Sequence, residues 1–175
     1  MTLTESEFQT RLTQIKLFAI DVDGVLTDGG LYYTESGEEF KKFNIKDGLG
    51  LRRVLEAGIE VAFISANQSR STLHRAKKLG IVHALIGVSD KLAVLQNLCQ
   101  QLNVSLIEVA YIGDDLVDLP ILESVGVPIA VADAVSAVQA IAVYITQKTG
   151  GNGAVREVCD LLLKSISPEQ ESSGL

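Results

Sequence analysis

Two short acidic segments carry the reactive groups of this chain, Asp21-Val22-Asp23-Gly24-Val25-Leu26-Thr27-Asp28 and Gly113-Asp114-Asp115-Leu116-Val117-Asp118. Residues two apart in an extended segment point the same way, so Asp21 and Asp23 both face one crevice. Neighbouring carboxylates repel, and relief comes from a proton on one of them or a cation between them. Hard oxygen ligands from two strand ends suit Mg2+, which takes one or two carboxylates, waters and phosphate oxygens. Ser65 closes an apolar run, and backbone N–H groups opening a helix after it can hold a phosphate. Lys91, after Ser89-Asp90, is a point charge for a phosphoryl oxygen. Taken singly, these are ordinary turn aspartates, a helix cap and a solvated lysine. Together, each after a strand, they make a phosphate and metal site.

The elements that must position them are legible as an alternation. Apolar, β-branched runs fall at 15–20, 59–64, 82–86, 109–112, 127–131 and 143–145, with amphipathic stretches between them. Continuous rather than alternating apolar runs mean burial on both faces, as in a parallel sheet between helices. Helices are predicted over 48–57, capped by Asp47 and ended by Gly58; over about 68–79, before Gly80; and over 91–102, capped by Ser89 or Asp90. Strand–helix repetition predicts a doubly wound α/β sheet with ligands at the carboxyl ends of its strands. One segment breaks the rhythm: Leu31-Tyr32-Tyr33-Thr34 and Glu39-Phe40-Lys41-Lys42-Phe43 flank Glu35-Ser36-Gly37-Glu38 and read as a projecting β-hairpin.

The 175 residues suit one domain, with a core over about 15–165 and a polar tail over 166–175. Fifteen Lys and Arg against twenty-two Asp and Glu give a formal net charge of -7, which repels polyanions and argues against nucleic acid. The N-terminus has neither a basic start nor an apolar stretch, and the most membrane-like segment, 125–145, is broken by Pro128, Asp133, Ser136 and Gln139. A cytoplasmic protein is therefore expected, without a membrane span. Cys99 and Cys159 lie in apolar helical patterns and read as buried reduced thiols, and His74 and His83 as structural.

Asp-x-Asp-Gly-Val-x-Thr-Asp, then Ser65, then Lys91, then Gly-Asp-Asp-x-x-Asp, in this order and each after a strand, resembles the haloacid dehalogenase superfamily of aspartate-nucleophile phosphatases. Over about 16–163, Phe43-Asn44-Ile45-Lys46-Asp47-Gly48 and Gly150-Gly151-Asn152-Gly153-Ala154-Val155-Arg156-Glu157 are also similar to the members acting on sugar-acid phosphates. The resemblance implies Asp21 as nucleophile and Asp23 as the acid that protonates the leaving alkoxide and then activates water. It implies Mg2+ held by the Asp21 carboxylate, the Asp23 carbonyl and the Asp114 carboxylate, supported by Asp115 and Asp118. Ser65 and Lys91 would then hold the phosphoryl group.

The spacing leaves no room for a cap domain, and the hairpin's Leu31, Tyr32, Tyr33, Phe40 and Phe43 would be an unpaired apolar edge in a monomer. The resemblance implies a homotetramer whose subunits close each other's sites, with the 150–156 segment reaching a neighbour and Arg156 contacting a substrate anion. The chain departs from the family where Ala66-Asn67 follow Ser65 in place of Gly-Arg, and where Asn152 replaces a frequent basic residue. Arg75, or Arg70, on the following helix is the compensating cation. A different sugar-acid phosphate, such as a nonulosonate 9-phosphate, and a noncatalytic oligomerisation domain of the same fold remain open as alternatives.

Overall fold

The structure, a computed structural model, describes residues 4–166. In chain order the elements are α1 (Glu5–Thr13), β1 (Leu17–Ile20), β2 (Tyr32–Tyr33), β3 (Glu39–Phe40), α2 (Ile45–Glu56), β4 (Glu60–Ser65), α3 (Arg70–Leu79) and β5 (His83–Ile86). They continue as α4 (Lys91–Leu102), β6 (Val109–Gly113), α5 (Leu119–Leu122), β7 (Val127–Ala130), α6 (Ser136–Ile141), β8 (Tyr144–Ile145) and α7 (Ala154–Ile166). Six strands form one parallel sheet in the order β5-β4-β1-β6-β7-β8, the expected doubly wound arrangement. The hairpin forms as expected, with Tyr32 opposite Phe40 and Tyr33 opposite Glu39. Every residue of β1, β6 and β7 is buried, which is why these strands are apolar throughout.

The chain winds from β1 outward to β4 and β5, then returns to lay β6 on the other side of β1. The carboxyl end of β1 is thus the switch point where a crevice opens. Register places the site: Ile20 pairs with Phe63 and with Ile112, so Asp21 emerges level with Gly113 and one residue short of Asp114.

Helices α1 and α2 both pack on α7, and α4 and α5 pack on each other and on the sheet. Three local readings are corrected. The N-cap of α2 is Asn44, whose side chain accepts from the Lys46 amide, so the helix begins at Ile45 rather than Gly48. Asp47 instead turns inward, 1% exposed, and accepts from the Arg156 amide at 2.8 Å, capping the start of α7 from another helix. Burial pushes its carboxyl up to about 6, against the backbone hydrogen bond from Arg156. Helix α3 starts at Arg70 behind Ser69, so Ser65 closes a strand and caps no helix.

Helix α1 was not assigned from the sequence, although Thr4 and Glu7 form a reciprocal capping box and Phe8 and Leu12, one turn apart, are buried. The core therefore begins before position 15. At the other end α7 carries Ser165 and Ile166, and the rest of the expected tail, 167–175, lies outside the described residues. Cys99 and Cys159 are buried free thiols, as expected. Among the described residues no helix is long and apolar enough to cross a membrane.

Candidate active site

The loop after β1 is a single wide turn, closed where the Thr27 amide donates to the Val22 carbonyl five residues back. Gly24 makes it possible: its φ is +84°, and a Cβ there would fall on the Asp114 carboxylate. Thr27 Oγ1 accepts from the Gly24 and Gly29 amides, both at 3.3 Å, which braces the turn from below.

A second brace comes from the far end of the chain. The Gly151 amide donates to the Val25 carbonyl at 2.9 Å, the Gly150 amide donates to Asp133 Oδ1 at 2.9 Å, and Asn44 donates to the Gly151 carbonyl at 3.3 Å. A Cβ on Gly150 would fall on the Gly24 carbonyl oxygen. The glycine segment read as reaching a neighbouring subunit thus packs backbone on backbone against the acidic loop of its own chain. Gly150→Ala is expected to lower kcat roughly 10–100-fold while cooperative thermal unfolding persists, because an ångström of misplacement at a reacting group costs on that order. Parallel rate and melting measurements check this.

Asp21 lies at the bottom of the crevice, 4% exposed. Its Oδ1 accepts from the Val22 amide at 2.7 Å and from Lys91 Nζ at 2.8 Å. Lys91 also reaches Asp118 Oδ1 at 2.8 Å. Asp118 is fully buried: its Oδ1 also accepts from the Tyr111 hydroxyl at 2.6 Å, and its Oδ2 from the Asp114 and Asp115 amides at 3.1 and 3.4 Å. Lone pairs already engaged in this way make Asp118 an anchor for Lys91 and the Gly113–Asp115 turn. Tyr111 was missed in the sequence because an aromatic in a buried strand reads as core.

Burial pushes the Asp21 carboxyl well up, aided by the Asp118 charge and opposed by Lys91. Burial likewise raises Asp114 to about 6, with the Asp118 charge adding and a hydrogen bond to Asp21 opposing. Burial works against the charge on Lys91, but Asp21 and Asp118 outweigh it and its pKa is raised. Oxygens of Asp21, Asp114 and Asp118 lie within 4.8 Å of one another. Three carboxylates against one ammonium leave two negative charges uncompensated, which is the charge of one divalent cation. The all-oxygen donor set fits Mg2+.

Asp23 is more open, its side chain 40% exposed, and its carboxylate lies outside that trio. Its Oδ2 accepts from the Ser65 hydroxyl at 3.3 Å and its Oδ1 meets Lys41 Nζ. Ser65 Oγ also accepts from the Asn67 amide at 3.1 Å. Ser65 and Lys91 therefore each touch one member of the Asp21–Asp23 pair.

The other side chains singled out in the sequence make different contacts. The Asp115 carboxylate accepts from its own Leu116 amide at 2.7 Å and caps the short turn that follows. Arg75 donates to the Asn44 carbonyl at 2.9 Å and stacks over Phe43, 5.8 Å from the ring centre. Arg156 pairs with Asp160 on its own helix, at 2.9 Å, and lines a separate cavity of about 450 Å3 with Lys46, Tyr144 and Lys148. His83 faces Glu60 at 3.6 Å, a strand-to-strand contact.

The profile of the haloacid dehalogenase-like hydrolases matches residues 87–158, the stretch holding Lys91, Asp114 and Asp118. The chain is 46% identical over 165 residues to 3-deoxy-D-manno-octulosonate 8-phosphate phosphatase KdsC of Salmonella typhi, covering 94% of this chain and 88% of that protein. Among solved structures, the phosphatase of that name from Moraxella catarrhalis, in complex with magnesium ion, phosphate ion and KDO, is 46% identical with a TM-score of 0.90, over 93% of each chain. The cobalt-bound Haemophilus influenzae phosphatase is 40% identical with a TM-score of 0.86, over 89% of this chain and 91% of that one.

Proposed function

From the premise that the chain belongs to the 3-deoxy-D-manno-octulosonate 8-phosphate phosphatase family of haloacid dehalogenase-like hydrolases, we propose that it removes the phosphate of that sugar acid through a phosphoryl group carried on Asp21. It is a phosphoric monoester hydrolase acting on a small sugar phosphate, and Mg2+ is its cofactor. The observation that carries the covalent reading is the setting of Asp21: buried at the switch point, its rotation held by Val22 and Lys91, and Asp114 beside it.

Asp21 attacks phosphorus in line with the departing sugar oxygen, and Asp23 gives that oxygen its proton. Asp23 then takes a proton from the water that attacks phosphoryl-Asp21, which returns the carboxylate and releases phosphate. Splitting hydrolysis in this way replaces one difficult displacement by two easier ones. Lys91 and the Ser65 hydroxyl hold equatorial oxygens, where charge accumulates. Mg2+, held by the Asp21 and Asp114 carboxylates and the Asp23 carbonyl, supplies further charge neutralisation when bound. Asp118 orients Lys91, and Asp115 shapes the turn that presents Asp114.

The exposed apolar side chains Leu31, Tyr33, Phe40, Ile45 and Leu49 support burial of the hairpin and the start of α2 against other copies, in a homotetramer. In that assembly Arg75 and Arg156 contact the anionic end of the substrate. The chain works in the cytoplasm as a single hydrolase domain.

A phosphate-release screen over sugar-acid phosphates, with and without a chelator, tests this reading. Fastest turnover on 3-deoxy-D-manno-octulosonate 8-phosphate, lost on chelation and restored by Mg2+, is expected. A second reading, a different sugar acid such as a nonulosonate 9-phosphate, is favoured by Ala66-Asn67 after Ser65, where an arginine for the sugar carboxylate is missing. The same screen decides between them, and no turnover on any of these phosphates would contradict both.

A further inference from the structure

The hairpin is exposed along most of its length, yet one of its charged side chains is not. The side chain of Lys41, directly after β3, is 4% exposed, and its ammonium meets Asp23 Oδ1 while lying 3.9 Å from Glu39 Oε1. Ordering and burying a lysine is costly in side-chain entropy and hydration, so a surface hairpin that does so is holding it for a partner. That partner has two chemically distinct oxygens as a result. The other one, Oδ2, accepts from the Ser65 hydroxyl at 3.3 Å and faces the β4 side of the crevice.

An ammonium only donates, whereas a hydroxyl rotates to donate or accept. A proton on Asp23 Oδ1 would point at the Lys41 donors, so a proton carried by Asp23 belongs on Oδ2. We propose that Lys41 is a positioning residue that assigns the two Asp23 oxygens different work, anchoring Oδ1 and leaving Oδ2 to carry the transferred proton. The proposal rests on Asp23 being the acid and base of the proposed reaction. In the first displacement the Asp21–phosphorus bond forms, the phosphorus–sugar oxygen bond breaks, and the Oδ2 proton goes to the sugar oxygen. In the second, water oxygen bonds to phosphorus, the Asp21–phosphorus bond breaks, and the water proton returns to Oδ2. Lys41 takes part in neither transfer. The hairpin thereby becomes part of the catalytic apparatus of its own chain, in addition to being an apolar surface.

The test compares the Mg2+-loaded wild-type enzyme with Lys41→Met, Lys41→Arg, Asp23→Asn and the Asp23→Asn/Lys41→Met double variant, on the sugar phosphate and on p-nitrophenyl phosphate. The nitrophenolate leaves without an acid, so bond cleavage in a single turnover with excess enzyme separates acid catalysis from general damage. Lys41→Met is expected to slow cleavage of the sugar phosphate roughly 10–100-fold, part of the 10²–10⁴ that acid–base catalysis supplies, with KM within about threefold. Cleavage of the nitrophenyl ester should change less than about threefold, Lys41→Arg should restore most of the rate, and the double variant should be no slower than Asp23→Asn alone. Equal loss on both esters, no loss on either, or additive losses in the double variant would overturn the assignment. A wild-type rate for Asp23→Asn with Lys41 intact would instead overturn the acid–base reading itself, and this proposal with it.

Discussion

Asp21→Asn is expected to abolish turnover, by about 10⁴-fold or more, and to leave the fold at least as stable as before. The amide has the size of the carboxylate and keeps an oxygen for the Val22 amide, which donates to Oδ1 at 2.7 Å. What it removes is a negative charge buried beside two others, Asp114 and Asp118, while Lys91 keeps Asp118 at 2.8 Å. Loss of like-charge repulsion in a desolvated site favours the folded state. Phosphate release together with a thermal melt in the absence of metal reads both halves, and the expected signs are opposite: no activity, and a melting temperature equal to or above that of the wild type.

Lys91→Met carries the second large effect, and here both signs are negative. Among the described residues Lys91 is the one side-chain cation paired with Asp21 and Asp118, with both distances at 2.8 Å, and its side chain is about 5% exposed. Taking one partner from a buried ion cluster leaves uncompensated charge and costs about 3–5 kcal/mol. For a chain of this length that lowers the melting temperature by roughly 6–20 °C. The phosphoryl group also loses a fixed positive charge, for which a fall of about 10³-fold in kcat is expected. Added Mg2+ should recover part of the stability, because the cation neutralises the same carboxylates, but not the rate. The contrast between the two variants separates the electrostatics of the crevice from simple sensitivity to substitution.

The site was legible where chemistry and strand ends coincide. Asp21, Asp23, Ser65, Asp114 and Asp118 all follow or close apolar runs that register brings side by side, and Lys91 opens the helix after another. Asp47 was misread because a single aspartate before a helical pattern looks like a cap; Asn44, three residues earlier, already caps α2, so Asp47 is free to turn toward α7. Lys41 carries no signal at all, since a lysine in a surface hairpin is ordinarily solvated and only the tertiary return of the hairpin over Asp23 makes it otherwise. Tyr111 was hidden by its apolar neighbours. The glycines at 150 and 151 were visible as a loop, but their role as a brace depends on contact with Gly24, Val25 and Thr27, more than a hundred residues away.

The acidic excess of the chain and its anionic substrate are reconciled in the same place. Part of the formal charge of -7 resides in carboxylates that converge on one crevice, where Lys91 and a divalent cation neutralise it and remove the barrier to an anion. The most direct measurement of the account is to mix the Mg2+-loaded enzyme with phosphorus-labelled sugar-acid phosphate, quench in acid within one turnover, and map the label along the chain. A labelled peptide spanning 17–28, with the phosphoryl group on Asp21 and absent from Asp21→Asn, is expected. Turnover with no label on the protein, or label on another residue, would contradict it.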